Sequence, residues 1–260
     1  MSIVFGSGIL EEIFGGKFEL LDTGMAAGQY NMDFDYSRAM AVGTGSAPPM
    51  LRFYGWNPWT LSLGYNQQEE TVNKEELQRR GWGIVRRPTG GRAVLHAEEL
   101  TYSVVVNIGA ERTAQSLYRD IHRLLLAGLK QLPGSAQVAD EIDFEKSQHD
   151  FKDFYRNSGF SVSCFASSAR YEIAYQGRKI VGSAQRVFGD TLLQHGSILL
   201  GRGHLQLAGL ARAGDGERKK ALEKYIESHS VSLSEICGRE ITYAECLEKI
   251  KGNLGQLNNI

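Results

Sequence analysis

Gly83-Ile84-Val85-Arg86-Arg87-Pro88-Thr89-Gly90-Gly91-Arg92-Ala93-Val94-Leu95-His96 is the stretch on which the fold turns. An apolar run leads into a basic pair, a rigid turn, two adjacent glycines and a histidine. A β-rich run, Leu100-Thr101-Tyr102-Ser103-Val104-Val105-Val106, follows soon after. The pattern predicts strand, Gly-rich loop, strand. Glycines let backbone N–H groups approach a polar ligand without a Cβ clash, so the loop is a candidate binding element. The plainer reading is a Pro-Thr-Gly-Gly turn carrying two solvated arginines.

Outward from this loop the chain alternates short strands and helices. Phe18–Gly24 reads as a strand, and Ala26–Met40 as a helix. Leu51–Trp56 and Thr60–Tyr65 both alternate, and Asn57-Pro58-Trp59 between them predicts a hairpin break. A cap-like start at Thr71 opens a short helix to Arg80. Leu117, Ile121, Leu124, Leu125 and Leu129 fall at helical spacing, which predicts a helix over 114–132. Asp140–Arg156 reads as a surface helix or flap. Three further strands, Ser168–Tyr175, Lys179–Val187 and Thr191–Leu200, are separated by the turn signals Gln176-Gly177 and Gly189-Asp190. A polar, Gly-rich stretch over 201–216 ends the sheet region. Helices near Glu217–Glu227 and Thr242–Lys251 close the chain. Helices among hairpins, without regular βαβ alternation, predict an α+β domain with a mixed, mostly antiparallel sheet flanked by helices. No G-x-G-x-x-G follows a first strand, which disfavours a doubly wound dinucleotide fold.

The chain has 260 residues, 42% hydrophobic and 23% charged, which suffices for one large core. A net charge of −1 gives no global argument for nucleic acid or membrane binding. Three cysteines, Cys164, Cys237 and Cys246, are no disulfide framework and fit a reducing cytoplasm. No Cys/His spacing resembles a metal site. Neither a signal peptide nor a membrane span is expected.

A second group of residues carries chemistry. Ser163-Cys164-Phe165 precedes Gly177-Arg178-Lys179-Ile180-Val181-Gly182-Ser183-Ala184-Gln185, and His195-Gly196 lies on the next strand. A nearby ammonium lowers a thiol pKa, so Lys179 could activate Cys164 as a nucleophile. Taken alone, Cys164 reads as a small buried residue, as do Cys237 and Cys246 in the helical tail.

Four segments together resemble the lipoate-protein ligase / biotin-protein ligase superfamily, and within it the Cys-dependent octanoyltransferases. They are Asn31-Met32-Asp33, Leu61-Ser62-Leu63-Gly64-Tyr65-Asn66-Gln67, Arg86–His96 with Glu99-Leu100-Thr101-Tyr102-Ser103, and Cys164-Phe165 through Gly196. The resemblance implies a biotin/lipoate-protein ligase-like catalytic domain over residues 1–210, with 211–260 as a helical extension packed on it. It implies a tunnel for a C8 acyl chain, rimmed by the Arg86–His96 loop. Cys164 corresponds to the family's acyl-accepting cysteine and Lys179 to its active-site lysine. Arg87, Gly90, Gly91, Arg92, His96, Gly182, Ser183, His195 and Gly196 correspond to substrate-binding positions. Arg92 stands where ATP-using ligases usually have a third glycine, which favours the transferase branch. Ala97 stands where many relatives carry an acidic residue, which weakens a proton-transfer role for His96.

The implied reaction moves an octanoyl group from octanoyl–acyl carrier protein, through a Cys164 thioester, to a lysine on a lipoyl domain such as the glycine-cleavage H protein. It needs no cofactor. The alternatives are an ATP- and Mg-dependent lipoate-protein ligase working through a lipoyl-adenylate, an amidotransferase between lipoyl domains, and a non-catalytic module that holds lipoyl domains or acyl carriers. About sixty residues follow Leu200, short for the accessory domain of many ligases.

Overall fold

A computed structural model describes residues 2–3, 8–134, 136–145, 171–212 and 215–256. In chain order its strands are β1 (Ser2–Ile3), β2 (Phe18–Ala26), β3 (Met50–Trp56), β4 (Thr60–Leu63), β5 (Gly83–Arg86), β6 (Val94–His96), β7 (Glu99–Asn107), β8 (Ile142–Phe144), β9 (Ile173–Tyr175), β10 (Arg178–Lys179), β11 (Val181–Phe188) and β12 (Thr191–Leu199). The central sheet runs β1-β2-β3-β7-β12-β11, and two three-stranded sheets run β10-β9-β8 and β5-β4-β6. In the central sheet only β2 and β3 pair parallel, so the expected mixed, mostly antiparallel α+β architecture is what forms.

Alternation along the strands sets what each face buries. Leu51, Phe53, Leu100, Tyr102, Val104 and Leu192 join the main core with Leu117, Ile121 and Leu125 of the helix Ala114–Leu129. Cys246, Ile250 and Leu254 of the helix Tyr243–Gln256 complete that layer. On the other face Met50, Val105 and Leu193 meet Ala39 and Val42 of the helix Gly28–Gly43. These three strand residues form one row across β3, β7 and β12, since Met50 pairs Val105 and Val105 pairs Leu193.

The next rows on that face are Arg52–Ser103–His195 and Tyr54–Thr101–Ser197. Here the inward positions become polar while the register continues. The covering helix changes in step: its buried residues Asn31 and Asp35 lie over the polar rows, and Ala39 and Val42 lie over the apolar one. The fold thus reserves one end of a buried sheet face for polar groups.

Two expectations need correction. Asn57-Pro58-Trp59 does not close a hairpin: both edges of β3 are taken, by β2 and β7, so β4 pairs with β5 and β6 in a separate sheet. The Gly-rich stretch after Leu200 ends the sheet region, as expected, and is partly helical. A 3-10 helix over Gly203–Leu210 buries Leu205, Leu207 and Leu210 against Leu61, Leu63 and Leu95. Within the expected flap over 140–156, Ile142 is fully buried and draws Ile142–Phe144 into a strand beside β9; residues 146–156 lie outside the described residues. The turn signals Gln176-Gly177 and Gly189-Asp190 do join β9 to β10 and β11 to β12. Among the described residues no helix is long and apolar enough to cross a membrane.

Candidate active site

The Arg86–His96 loop leaves the β5-β4-β6 sheet and folds over the polar rows. Its two leading arginines differ: Arg86 stays exposed and Arg87 does not. Arg87 is buried, and its Nη1 donates to the carbonyl and Oγ of Ser62, both at 3.2 Å. The other end of the guanidinium donates to the carbonyls of Gly90 (2.8 Å) and Arg92 (2.6 Å). Arg86 donates to the carbonyls of Gly64 (3.0 Å) and Gln67 (2.6 Å). The two side chains therefore act as staples that tie the loop to β4 and to the segment that follows it. Gly91 has φ +93°, and a Cβ on Gly64 would stand 1.9 Å from the Gly91 oxygen. Two glycines here answer steric needs that other residues would not meet.

Beneath the loop lies a small pocket, partly open to solvent. Arg87, His96, Gly182, Ser183, His195 and Gly196, six of the positions the resemblance implies, line it. Met32, Tyr54, Trp56, Ser62, Val94, Thr101, Ala184 and Ser197 complete the wall. Gly196 is there because its backbone abuts the neighbouring strand: a Cβ would meet Ser183 Oγ at 2.4 Å and the Gly182 oxygen at 2.7 Å. Gly90, Gly91 and Arg92 form the loop above and do not line the cavity.

The wall's polar atoms bond one another. His96 stacks on Trp56 with centroids 3.9 Å apart. Its Nδ1 is 2.8 Å from Glu99 Oε1 and its Nε2 is 2.7 Å from Ser62 Oγ. Thr101 and Ser197 hydroxyls also donate to Glu99 Oε1, at 2.5 and 2.8 Å, and the Trp56 indole N–H donates to Thr101. Burial by itself would raise the Glu99 carboxyl, but His96 and the two hydroxyls outweigh it and hold it below the ordinary value. The missing acid at Ala97 is thus replaced in space by Glu99.

A second buried carboxylate anchors the other polar row. Asp35 accepts from Arg52 Nη1 (2.8 Å), Tyr54 (2.9 Å) and Ser103 (2.8 Å). Arg52 also donates to Asn31 and lies between the rings of Phe34 and Tyr54. His195 Nδ1 faces Asp35 at 3.4 Å and its Nε2 meets Thr89 Oγ at 2.6 Å, which ties the loop to the sheet. Burial pushes Asp35 up, yet His195 and Arg52 hold it below its ordinary range; burial lowers His195.

The opposite face of β11 and β12 carries a different network. Ser183 Oγ meets Tyr102 at 2.7 Å and His122 Nε2 at 2.8 Å, and Gln194 donates to the Tyr102 hydroxyl. His122 Nδ1 donates to the Tyr171 carbonyl. Burial drives the His122 pKa down to about 4, so it is neutral at physiological pH.

Lys179 lies on β10, in a separate sheet from the cavity strands, and is buried in a 2.9 Å ion pair with Glu172. It does not line the cavity, although its charge is felt at His122. Cys164 and Phe165 lie outside the described residues. Burial raises the thiols of Cys237 and Cys246, which keeps both protonated. Among the described residues no group of His, Cys, Asp and Glu could hold a metal ion. The sequence assigned no role to Ser62, Glu99, Asp35 or Glu172. For Ser62, Glu99 and Asp35 the available signal was a polar residue at an inward strand or helix position, each needing a buried partner.

Residues 27–255 match the lipoyl protein ligase A/B catalytic domain family. The chain is 40% identical over 236 residues to the octanoyltransferase LipM of Symbiobacterium thermophilum, covering 88% of this chain and 82% of that protein. It is 37% identical over 235 residues to the octanoyltransferase LipM of Geobacillus kaustophilus, covering 89% and 82%. Among solved structures it resembles the bi-partite lipoate protein ligase of Thermoplasma acidophilum, with a TM-score of 0.67 at 18% identity, covering 93% of this chain and 84% of that one.

Proposed function

We propose, because the chain belongs to the lipoyl protein ligase A/B catalytic domain family, that it is an octanoyltransferase of protein lipoylation. The identity to the LipM octanoyltransferases over most of both chains carries the reading. The pocket supports it, since residues from separate sequence motifs meet around one mostly apolar space. Residues 1–210 form the catalytic domain and the helices beyond 211 brace it.

In this reading the Cys164 thiolate attacks the thioester carbonyl of octanoyl–acyl carrier protein, and the carrier's thiol leaves. The ε-amine of a lysine on a lipoyl domain, such as the glycine-cleavage H protein, then attacks the enzyme thioester. The C–S bond breaks, the amine's proton is lost, and an amide forms. An amide is more stable than a thioester, so neither ATP nor Mg is required. Lys179, held by Glu172, supplies positive charge for the thiolate and the developing oxyanion. Arg87, Gly90, Gly91, Arg92, His96, Gly182, Ser183, His195 and Gly196 shape and hold the acyl site.

The test is transfer from octanoyl–carrier protein to a purified lipoyl domain with ATP removed by apyrase. Undiminished transfer is the expected result. Transfer only from free lipoate or octanoate with ATP would make the chain a ligase instead.

A further inference from the structure

We propose that Ser62, His96 and Glu99 form a nucleophilic relay, giving the protein a serine-dependent esterase activity toward medium-chain acyl esters. The inference rests on the reading of the cavity as an acyl site and goes beyond it.

The three groups stand in the order such chemistry requires. A carboxylate only accepts, so Glu99 Oε1, 2.8 Å away, fixes the proton of the neutral His96 ring on Nδ1. Nε2 is then the acceptor, and the Ser62 hydroxyl, 2.7 Å away, donates to it. A hydroxyl held by an imidazole that a carboxylate orients is the arrangement of an activated nucleophile. Arg87 Nη1, 3.2 Å from Ser62 Oγ, adds positive charge beside an oxygen that must lose its proton. Thr101, two residues along β7, and Ser197 on the neighbouring β12 both hold Glu99, so the carboxylate needs no reorganisation. Trp56 stacks flat on His96 and favours the imidazolium that forms on proton uptake.

Position supports the same assignment. Leu61 and Leu63 point into a hydrophobic core while Ser62, between them on β4, lines the cavity with His96. The other hydroxyl–imidazole–carboxylate set, Thr89–His195–Asp35, is the weaker candidate. Its imidazole–carboxylate distance is 3.4 Å, and Thr89 does not line the cavity.

In the proposed step the Ser62 Oγ–acyl bond forms as the hydroxyl proton passes to His96 Nε2. The ester C–O bond breaks and the leaving alcohol takes that proton. Water then attacks the acyl-serine, again giving its proton to His96, and releases the carboxylic acid and the free hydroxyl. Ester and water become acid and alcohol, with nothing else consumed.

The experiment uses the full chain with two probes, p-nitrophenyl octanoate and an alkyl fluorophosphonate. The expected result is ester hydrolysis and a fluorophosphonate adduct on Ser62, both surviving Cys164→Ala. Ser62→Ala and His96→Gln should each lower hydrolysis about a hundredfold, the span typical of a lost general base or its nucleophile. Glu99→Gln, which keeps the side-chain shape, should lower it with labelling slowed in parallel, while a thermal melt confirms each variant is folded. Octanoylation of Cys164 without any Ser62 adduct would overturn the relay and leave the transferase reading standing. Hydrolysis that is lost in Cys164→Ala would overturn it too. Failure to acylate either residue would overturn both.

Discussion

The two faces of β7, β11 and β12 each bury a polar network, and the two are built on opposite electrostatic plans. On the cavity face, Asp35 and Glu99 are buried carboxylates held ionised by Arg52, His195, His96 and hydroxyls. On the other face, His122, Ser183, Tyr102 and Gln194 bond as neutral groups, with His122 kept uncharged by burial. Ser183 belongs to both, since its hydroxyl bonds the neutral network while the residue lines the cavity. The charged face has fixed dipoles aimed at a space where a reaction can develop charge. The neutral face holds the wall behind it still. A buried charge is costly unless paired, and the Lys179–Glu172 ion pair beside the neutral network meets that need as well.

The comparison breaks hardest at Arg52. Arg52→Met leaves Asp35 buried without its cation, and urea denaturation should show a loss of about 3–5 kcal/mol. A loss near that of an ordinary surface change would mean Asp35 is not ionised. Acid should then separate the buried histidines from the buried carboxylates. The unfolded state protonates histidine near its ordinary 6.5, while folded His122 and the buried His204 wait until about 4. Stability therefore falls as pH drops from 6.5 toward 4, by roughly 3 kcal/mol per histidine at most. Glu99 and Asp35 are depressed, so their contribution persists through that window and is lost only below the ordinary carboxylate range. Calorimetry between pH 7 and 3 should show the histidine loss first, and His122→Asn should flatten it.

Smaller effects sharpen the contrast. Ala184 faces the cavity, and Ala184→Leu should shift the preferred acyl chain two or three carbons shorter, at about 0.8 kcal/mol per methylene excluded. Competition between acyl chain lengths in the transfer assay reads this directly. Ser183→Ala removes one neutral hydrogen-bond partner while Gln194 still reaches Tyr102, and should cost about 1 kcal/mol in a thermal melt.

Much of this was legible in the residues. Alternation in Leu51–Trp56 and Leu100–Val106 marked the central strands, and the turn dipeptides marked two hairpins. The alternation also held the site, since Arg52, Ser103, Thr101, His195 and Ser197 occupy inward positions of strands that otherwise read as core. What sequence could not supply was pairing across distance. Ser62 and His96 are 34 residues apart, and Asp35 and His195 are 160 apart. The hairpin expected at Asn57-Pro58-Trp59 failed for a related reason: whether β3 had a free edge depended on β2 and β7, remote in sequence. Ala97 pointed away from an acid for His96, yet Glu99 reaches it from the first residue of β7.

Intact-protein mass spectrometry after mixing the chain with octanoyl–acyl carrier protein, without ATP, tests the central claim most directly. The account predicts a mass gain of one octanoyl group that maps to Cys164, disappears in Cys164→Ala, and is discharged by adding a lipoyl domain. Full transfer activity in Cys164→Ala, with no covalent octanoyl-enzyme at any time, would contradict it.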